Sequence, residues 1–201
     1  ALQSEPARRE DRASPRRRPL VEQGRRHPDP SIRDLSESFL PREQRTRRLG
    51  EVVDAERILS LAGDPARGRS LYAESQSLAC RNCHRVGEQG VAIGPDLTTI
   101  GRLRTRLQLL ESILDPSRVI DPKYATHVLE TATGEVLTGL LVEQTDEAVT
   151  LRSADNKVHR IAAGEVEQLV TQQRSLMPDL QFRDLTAEEL ADLLAYLESL
   201  R

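Results

Sequence analysis

Cys80-Arg81-Asn82-Cys83-His84 decides how this chain is read, because it holds both cysteines of a 201-residue sequence. A Cys-x-x-Cys pair alone could be half of a zinc site or a thioredoxin-like redox motif. A zinc site needs two further ligands, and the other histidines, His27, His127 and His159, stand singly and far away along the chain. A thioredoxin-like motif follows a strand and opens a long helix, whereas here the glycine-rich run Arg85-Val86-Gly87-Glu88-Gln89-Gly90 comes next. Attachment of a c-type haem gives both cysteines and the histidine a task. Two thiols three positions apart can add to the two vinyl groups on one porphyrin edge, and the adjacent imidazole can then reach the iron. Cys80 and Cys83 are therefore the expected thioether residues of one covalent haem c, and His84 its proximal metal ligand.

The flanks read as helices around that motif. Gly63-Asp64-Pro65 supplies an N-cap with proline at the first helical position, and the helix should end near Glu74 to Ser77. Gly94-Pro95-Asp96-Leu97 is a turn signal, and a backbone carbonyl there, at Pro95, could accept the other ring N–H of His84. Leu107, Leu110, Ile113 and Leu114 recur at helical spacing until Asp115-Pro116 stops them. Thr186 and Glu189 form a capping box ahead of Leu190, Leu193, Leu194 and Leu197, one stripe of a final helix. Gly68 should let the first helix approach the last closely, with Tyr72 meeting the leucine stripe.

Between these helices the period changes to two. Thr126 to Thr131, Val136 to Glu143, Ala148 to Arg152, Val158 to Ala162 and Val166 to Val170 read as short strands. Thr133-Gly134, Thr145-Asp146 and Asp155-Asn156 are hairpin turns between them. The stretch 123–172 is thus expected as a small antiparallel β insert, SH3-like or Sm-like, serving structure or docking. It has few basic residues and no aromatic platform, so RNA binding is not expected.

A six-coordinate iron needs a sixth ligand, and Met177 is the only methionine. Most methionines are packing residues. This one lies in Ser175-Leu176-Met177-Pro178, after the last strand and before the final helix, where a distal loop belongs, and is the expected second metal ligand. His127 and His159 fall inside strands and are expected on the insert's surface.

Composition bounds the rest. The chain has five aromatic residues and no tryptophan, so large flat side chains cannot dominate its core. Charged residues make up 30% and no apolar run of about 18 residues exists, so no membrane span is expected. Residues 1 to 50 hold 13 Arg against 8 Asp and Glu, with Pro and Ser among them, and read as an Arg-rich, solvated and partly disordered tail or linker. Nucleic-acid binding is not expected of it. The haem domain is then 51–201.

Residues from about Asp29 to Arg201 resemble a haem-binding domain found at the C-termini of large secreted proteins of planctomycetes and verrucomicrobia. The resemblance is carried by Gly63-Asp64-Pro65-Ala66-Arg67-Gly68-Arg69, the Cys80 to His84 motif, Gly94-Pro95-Asp96-Leu97, Leu110-Glu111-Ser112-Ile113-Leu114-Asp115-Pro116, Asp121-Pro122-Lys123-Tyr124 and Ser175-Leu176-Met177-Pro178. That family is similar to class I cytochromes c, which implies an electron carrier rather than an enzyme, served by an attached or partner dehydrogenase. The expectation is a mainly α, class I cytochrome c fold with the β insert, exported or periplasmic because thioether attachment occurs outside the cytoplasmic membrane. The alternative is a haem-based sensor or weak peroxidase with a labile Met177.

Overall fold

The computed structural model describes residues 18–27 and 30–201, in a chain that divides into two compact units, residues 1–48 and residues 49–201. The basic residues before position 18 lie outside the described residues. In the first unit, α1 (Arg18–Arg25) and α2 (Pro30–Ser38) precede a 3-10 turn at Arg42–Gln44. The tail reading did not anticipate these helices. Among their described side chains Glu37 is the deeply buried charge, and it accepts hydrogen bonds from the Thr46 hydroxyl and amide. Leu20 and Leu35 are largely exposed, so the two helices bury little of their apolar content.

The second unit runs α3 (Ala55–Ser60), α4 (Pro65–Glu74), a 3-10 turn at Cys80–Asn82, then a small hairpin of β1 (Arg85–Val86) and β2 (Gln89–Gly90). It continues with α5 (Ile100–Leu103), α6 (Arg106–Leu114), β3 (Ala125–Thr131), β4 (Val136–Gln144), β5 (Ala148–Arg152), β6 (Val158–Ala162), β7 (Val166–Ser175) and α7 (Ala187–Ser199). Strands β3 to β7 form one antiparallel sheet in the order β6-β5-β4-β3-β7. The expectation of a mainly α chain is overturned by that sheet: the described residues are 40% helical and 22% strand. Each strand's signal is small in the sequence, but five strands paired side by side, two of them nine and ten residues long, make the sheet a principal part of the unit rather than an appendix to helices.

Two apolar clusters result. The helical one gathers Ile58, Tyr72, Leu78, Leu109, Leu110, Phe182, Leu190 and Leu194 around α7. The sheet's own cluster is Leu129, Val149 and Leu151, which point to one face by the period-two rule. Helix α6 keeps Leu110, Ile113 and Leu114 of its expected stripe against the core but buries Leu109 in place of Leu107, which is half exposed. Its start is fixed by a reciprocal capping box between Thr105 and Gln108. The box expected at Thr186 and Glu189 opens α7 in the same way. No helix among the described residues is long and apolar enough to cross a membrane.

Candidate functional site

The site begins at the start of α4. The Asp64 carboxylate accepts from the amides of Ala66 (2.8 Å) and Arg67 (3.3 Å), and Pro65 fills the first helical position, where its missing N–H costs nothing. One turn on, a Cβ at Gly68 would come within 2.0 Å of the Asp192 carbonyl oxygen, so only glycine lets α4 lie backbone to backbone on α7. The buried Asp192 carboxylate locks the crossing by accepting from the Asp64 amide (2.6 Å) and from Arg67 Nε and Nη2 (2.6 and 2.8 Å). Tyr72 then projects from α4 into the core, its ring centroid 5.6 Å from that of Tyr196. Its hydroxyl donates to the His84 carbonyl oxygen (2.7 Å), and burial pushes its pKa up to about 12, so it stays a donor across the accessible pH range.

His84 is thus held from behind through its backbone. Its ring is held from the front: Nδ1 lies 2.9 Å from the Pro95 carbonyl oxygen, which can only accept, so this nitrogen carries the proton. Burial lowers the imidazole pKa, which the Pro95 contact only partly opposes, and the neutral tautomer leaves Nε2 as a lone-pair donor. Gly94 lies against the ring, where a Cβ would come within 2.8 Å of Cε1. The loop that carries Gly94 and Pro95 is tied back by the Ile93 and Gly94 amides, which both donate to the Cys83 carbonyl oxygen (3.0 and 2.7 Å). An exposed Arg85–Asp96 pair (2.6 Å) and Thr98, which donates to Asp96 through its hydroxyl and amide, close it further. These contacts hold the Asp96 carboxyl down at about 2, the Thr98 hydroxyl bond being the largest cause.

The two thiols come just before this histidine, Cys80 opening a 3-10 turn and Cys83 capping it, both half-buried and free. Burial pushes the Cys80 thiol up to about 11 and raises that of Cys83 as well. A dithiol redox centre needs the opposite shift, toward thiolate, and a long helix after the motif; neither is present. Among the described residues no group of three or more His, Cys, Asp and Glu side chains gathers into a metal-binding set around the pair. The donor set fits a haem instead: two thiols on one turn, and between them and Pro95 an imidazole whose free nitrogen is Nε2.

Met177 is half-buried in the bend that follows β7, its amide donating to the Ser175 hydroxyl (3.1 Å). His127 on β3 and His159 on β6 are half-buried, with ring nitrogens 3.0 Å from the Ala125 carbonyl oxygen and 3.2 Å from the Ser153 hydroxyl. An open groove of about 850 Å³ beside the Cys80–Asn82 turn, bordered by Arg69, Glu74 and Arg81, is lined by none of the candidate residues. Sequence reading gave Tyr72 a packing role only. Its hydroxyl contact with His84 is made across a loop and leaves no periodic trace, although a buried tyrosine with an unassigned hydroxyl was a cue. The contact of Arg152 Nη1 with the Ala92 carbonyl oxygen (3.3 Å) was likewise unforeseen.

Residues 65–151 match the family described as Cytochrome c, a stretch that holds Cys80, Cys83, His84 and Pro95 and ends before Met177 and α7. The match supports a cytochrome c-like haem-binding domain there, and with it covalently bound haem c and an electron-carrying role. No curated protein matches the chain.

Proposed function

We propose that this chain is an exported c-type cytochrome that carries one electron at a time on a single haem, joined to Cys80 and Cys83 and ligated by His84 and Met177. The observation that carries the reading is His84 itself: its Nδ1–H is committed to the Pro95 carbonyl, its backbone to Tyr72, and its Nε2 is left unprotonated in a motif whose two thiols are free. When bound, the haem supplies a ferric–ferrous couple that takes one electron from a donor protein and passes it to an acceptor. The chain's own residues do the rest. Pro95 fixes the tautomer and orientation of His84, Gly94 makes room for the flat ring, and the α4–α7 crossing keeps Tyr72 under the loop. Ser175 orients the backbone of Met177, a thioether that favours ferrous iron and so a higher potential. The donor is proposed to be a partner protein or an attached dehydrogenase domain.

The test is spectroscopic. The oxidised protein should be low-spin with a weak sulfur-to-iron band in the far red, and Met177→Ala should abolish that band and open the iron to carbon monoxide. A band that persists in Met177→Ala would move the ligand to His127 or His159. Rapid carbon monoxide binding by the native ferrous protein would replace the carrier with a sensor or peroxidase.

A further inference from the structure

We propose that the five-stranded sheet sets the position of the Met177 loop relative to the His84 loop, with Arg152 as its positioning residue at one end and Ser117 and Ser175 at the other. This rests on the cytochrome reading above. The two loops are far apart in sequence, yet a row of directly paired strand residues, with side-chain hydrogen bonds at its two ends, runs between them. The Met177 amide donates to the Ser175 hydroxyl (3.1 Å), and the Ser175 amide donates to the Ser117 hydroxyl just after α6 (3.1 Å). Ser175 pairs with Ala125 at the start of β3, the next residue Thr126 pairs with Leu140 of β4, and Leu140 pairs with Arg152 of β5. Arg152 then leaves the sheet: its Nη1 donates to the Ala92 carbonyl oxygen (3.3 Å), adjoining Ile93 and Gly94, whose amides are bound to the Cys83 carbonyl oxygen.

This row runs across the strands, the direction in which a sheet is cross-linked by its backbone ladder and resists extension. Directly paired residues share a face, so Thr126, Leu140 and Arg152 point the same way, opposite to the sheet's own apolar cluster. Thr126 and Leu140 are buried there, although the sheet's own cluster lies on the other side. Arg152 is the last residue of β5 and the only one in this row whose side chain bonds the loop ahead of Gly94; its Nε is enclosed without a partner, so Nη1 carries the contact. A sheet that served only as a packing surface would not need a cation at this point. One that fixes the spacing of two ligand-bearing loops needs a long, directional donor.

The measurement is carbon monoxide binding by the ferrous holoprotein, read beside amide hydrogen exchange at Ile93, Gly94 and Met177. Arg152→Ala should speed carbon monoxide binding about five- to tenfold, the range expected when one exposed hydrogen bond of ordinary strength to a loop is lost, and should weaken the far-red band. It should also raise exchange at all three amides together. Arg152→Lys keeps a donor of similar reach and should return the rate to within about twofold of the native value. Ser117→Ala combined with Ser175→Ala should act like Arg152→Ala. Leu129→Ala loosens the sheet's cluster without removing a contact of the row and should change the rate less than Arg152→Ala does. The proposal is overturned if Arg152→Ala leaves rate and exchange at native values, or if Leu129→Ala speeds binding as much. Should the purified protein hold no covalent haem, the cytochrome reading fails on its own; the exchange measurement still decides whether Arg152 couples the two loops.

Discussion

The helices around the Cys80–His84 turn and the sheet of β3 to β7 belong to the same unit, but they reach stability by different routes. In the helical part a few irreplaceable contacts do most of the organising: Gly68 against the Asp192 carbonyl, the buried Asp192 carboxylate on Asp64 and Arg67, and Tyr72 on His84. In the sheet the work is spread along the backbone ladders, with an apolar cluster of only three fully buried side chains. Precision concentrated in single residues suits a loop that must hold an imidazole at a fixed angle. Distributed pairing suits a frame that has only to keep its dimensions.

The sharpest way to separate the two is to withhold the haem. With Cys80→Ser and Cys83→Ser together, circular dichroism should show most of the helical signal lost while the β signal persists. The helical core has only Tyr72, Phe182 and Tyr196 as aromatic filling, so a haem would be a large share of it. Equal loss of both signals would mean the parts are one cooperative block. Next in size, Gly68→Ala in the holoprotein should cost about 3 kcal/mol in urea unfolding, because the added methyl meets backbone of α7 and not a movable side-chain tip. A cost under about 1 kcal/mol would mean that the crossing is loose. In the sheet, Leu151→Ala should cost about 2 kcal/mol, near the low end for a buried leucine because the cluster is small, and should leave the haem spectrum unaltered. The smallest effect has the opposite sign. Thr126 is 4% exposed and its hydroxyl has no hydrogen-bond partner, so Thr126→Val should stabilise the protein by roughly 1 kcal/mol. Destabilisation of that size would show that the hydroxyl is bonded after all.

Much of this was legible in the sequence where signals are local. The Asp64 cap, the Thr186–Glu189 box and the bounds of Ala148–Arg152 and Val158–Ala162 all follow from neighbours within four residues. Strand β7 was read only to Val170, because its last five residues, Thr171-Gln172-Gln173-Arg174-Ser175, are polar on an edge with one face in water and show no apolar alternation. On helix α6 Leu110, Ile113 and Leu114 face the core as expected, but Leu109 takes the place expected of Leu107, because the two are equally apolar and only the neighbouring helices decide which is covered. Helix α3, six residues around Ile58, is too short to display a period. The fold class was misjudged for a related reason: capped helices give strong individual signals, whereas the weight of a sheet emerges only when its strands pair. At the site, the motif and the Gly-Pro turn could be read directly. Tyr72 and Arg152 could not, since each acts on a loop brought near only by the tertiary fold.

The most direct test is the intact mass of the purified protein after treatment with acidified organic solvent. The account predicts a mass one haem greater than the polypeptide, unchanged by the solvent, and an alkaline pyridine spectrum of a haem with both vinyl groups saturated; Cys80→Ala with Cys83→Ala should return the mass to that of the polypeptide. A native protein that retains the polypeptide mass, or loses its haem to the solvent, would contradict it.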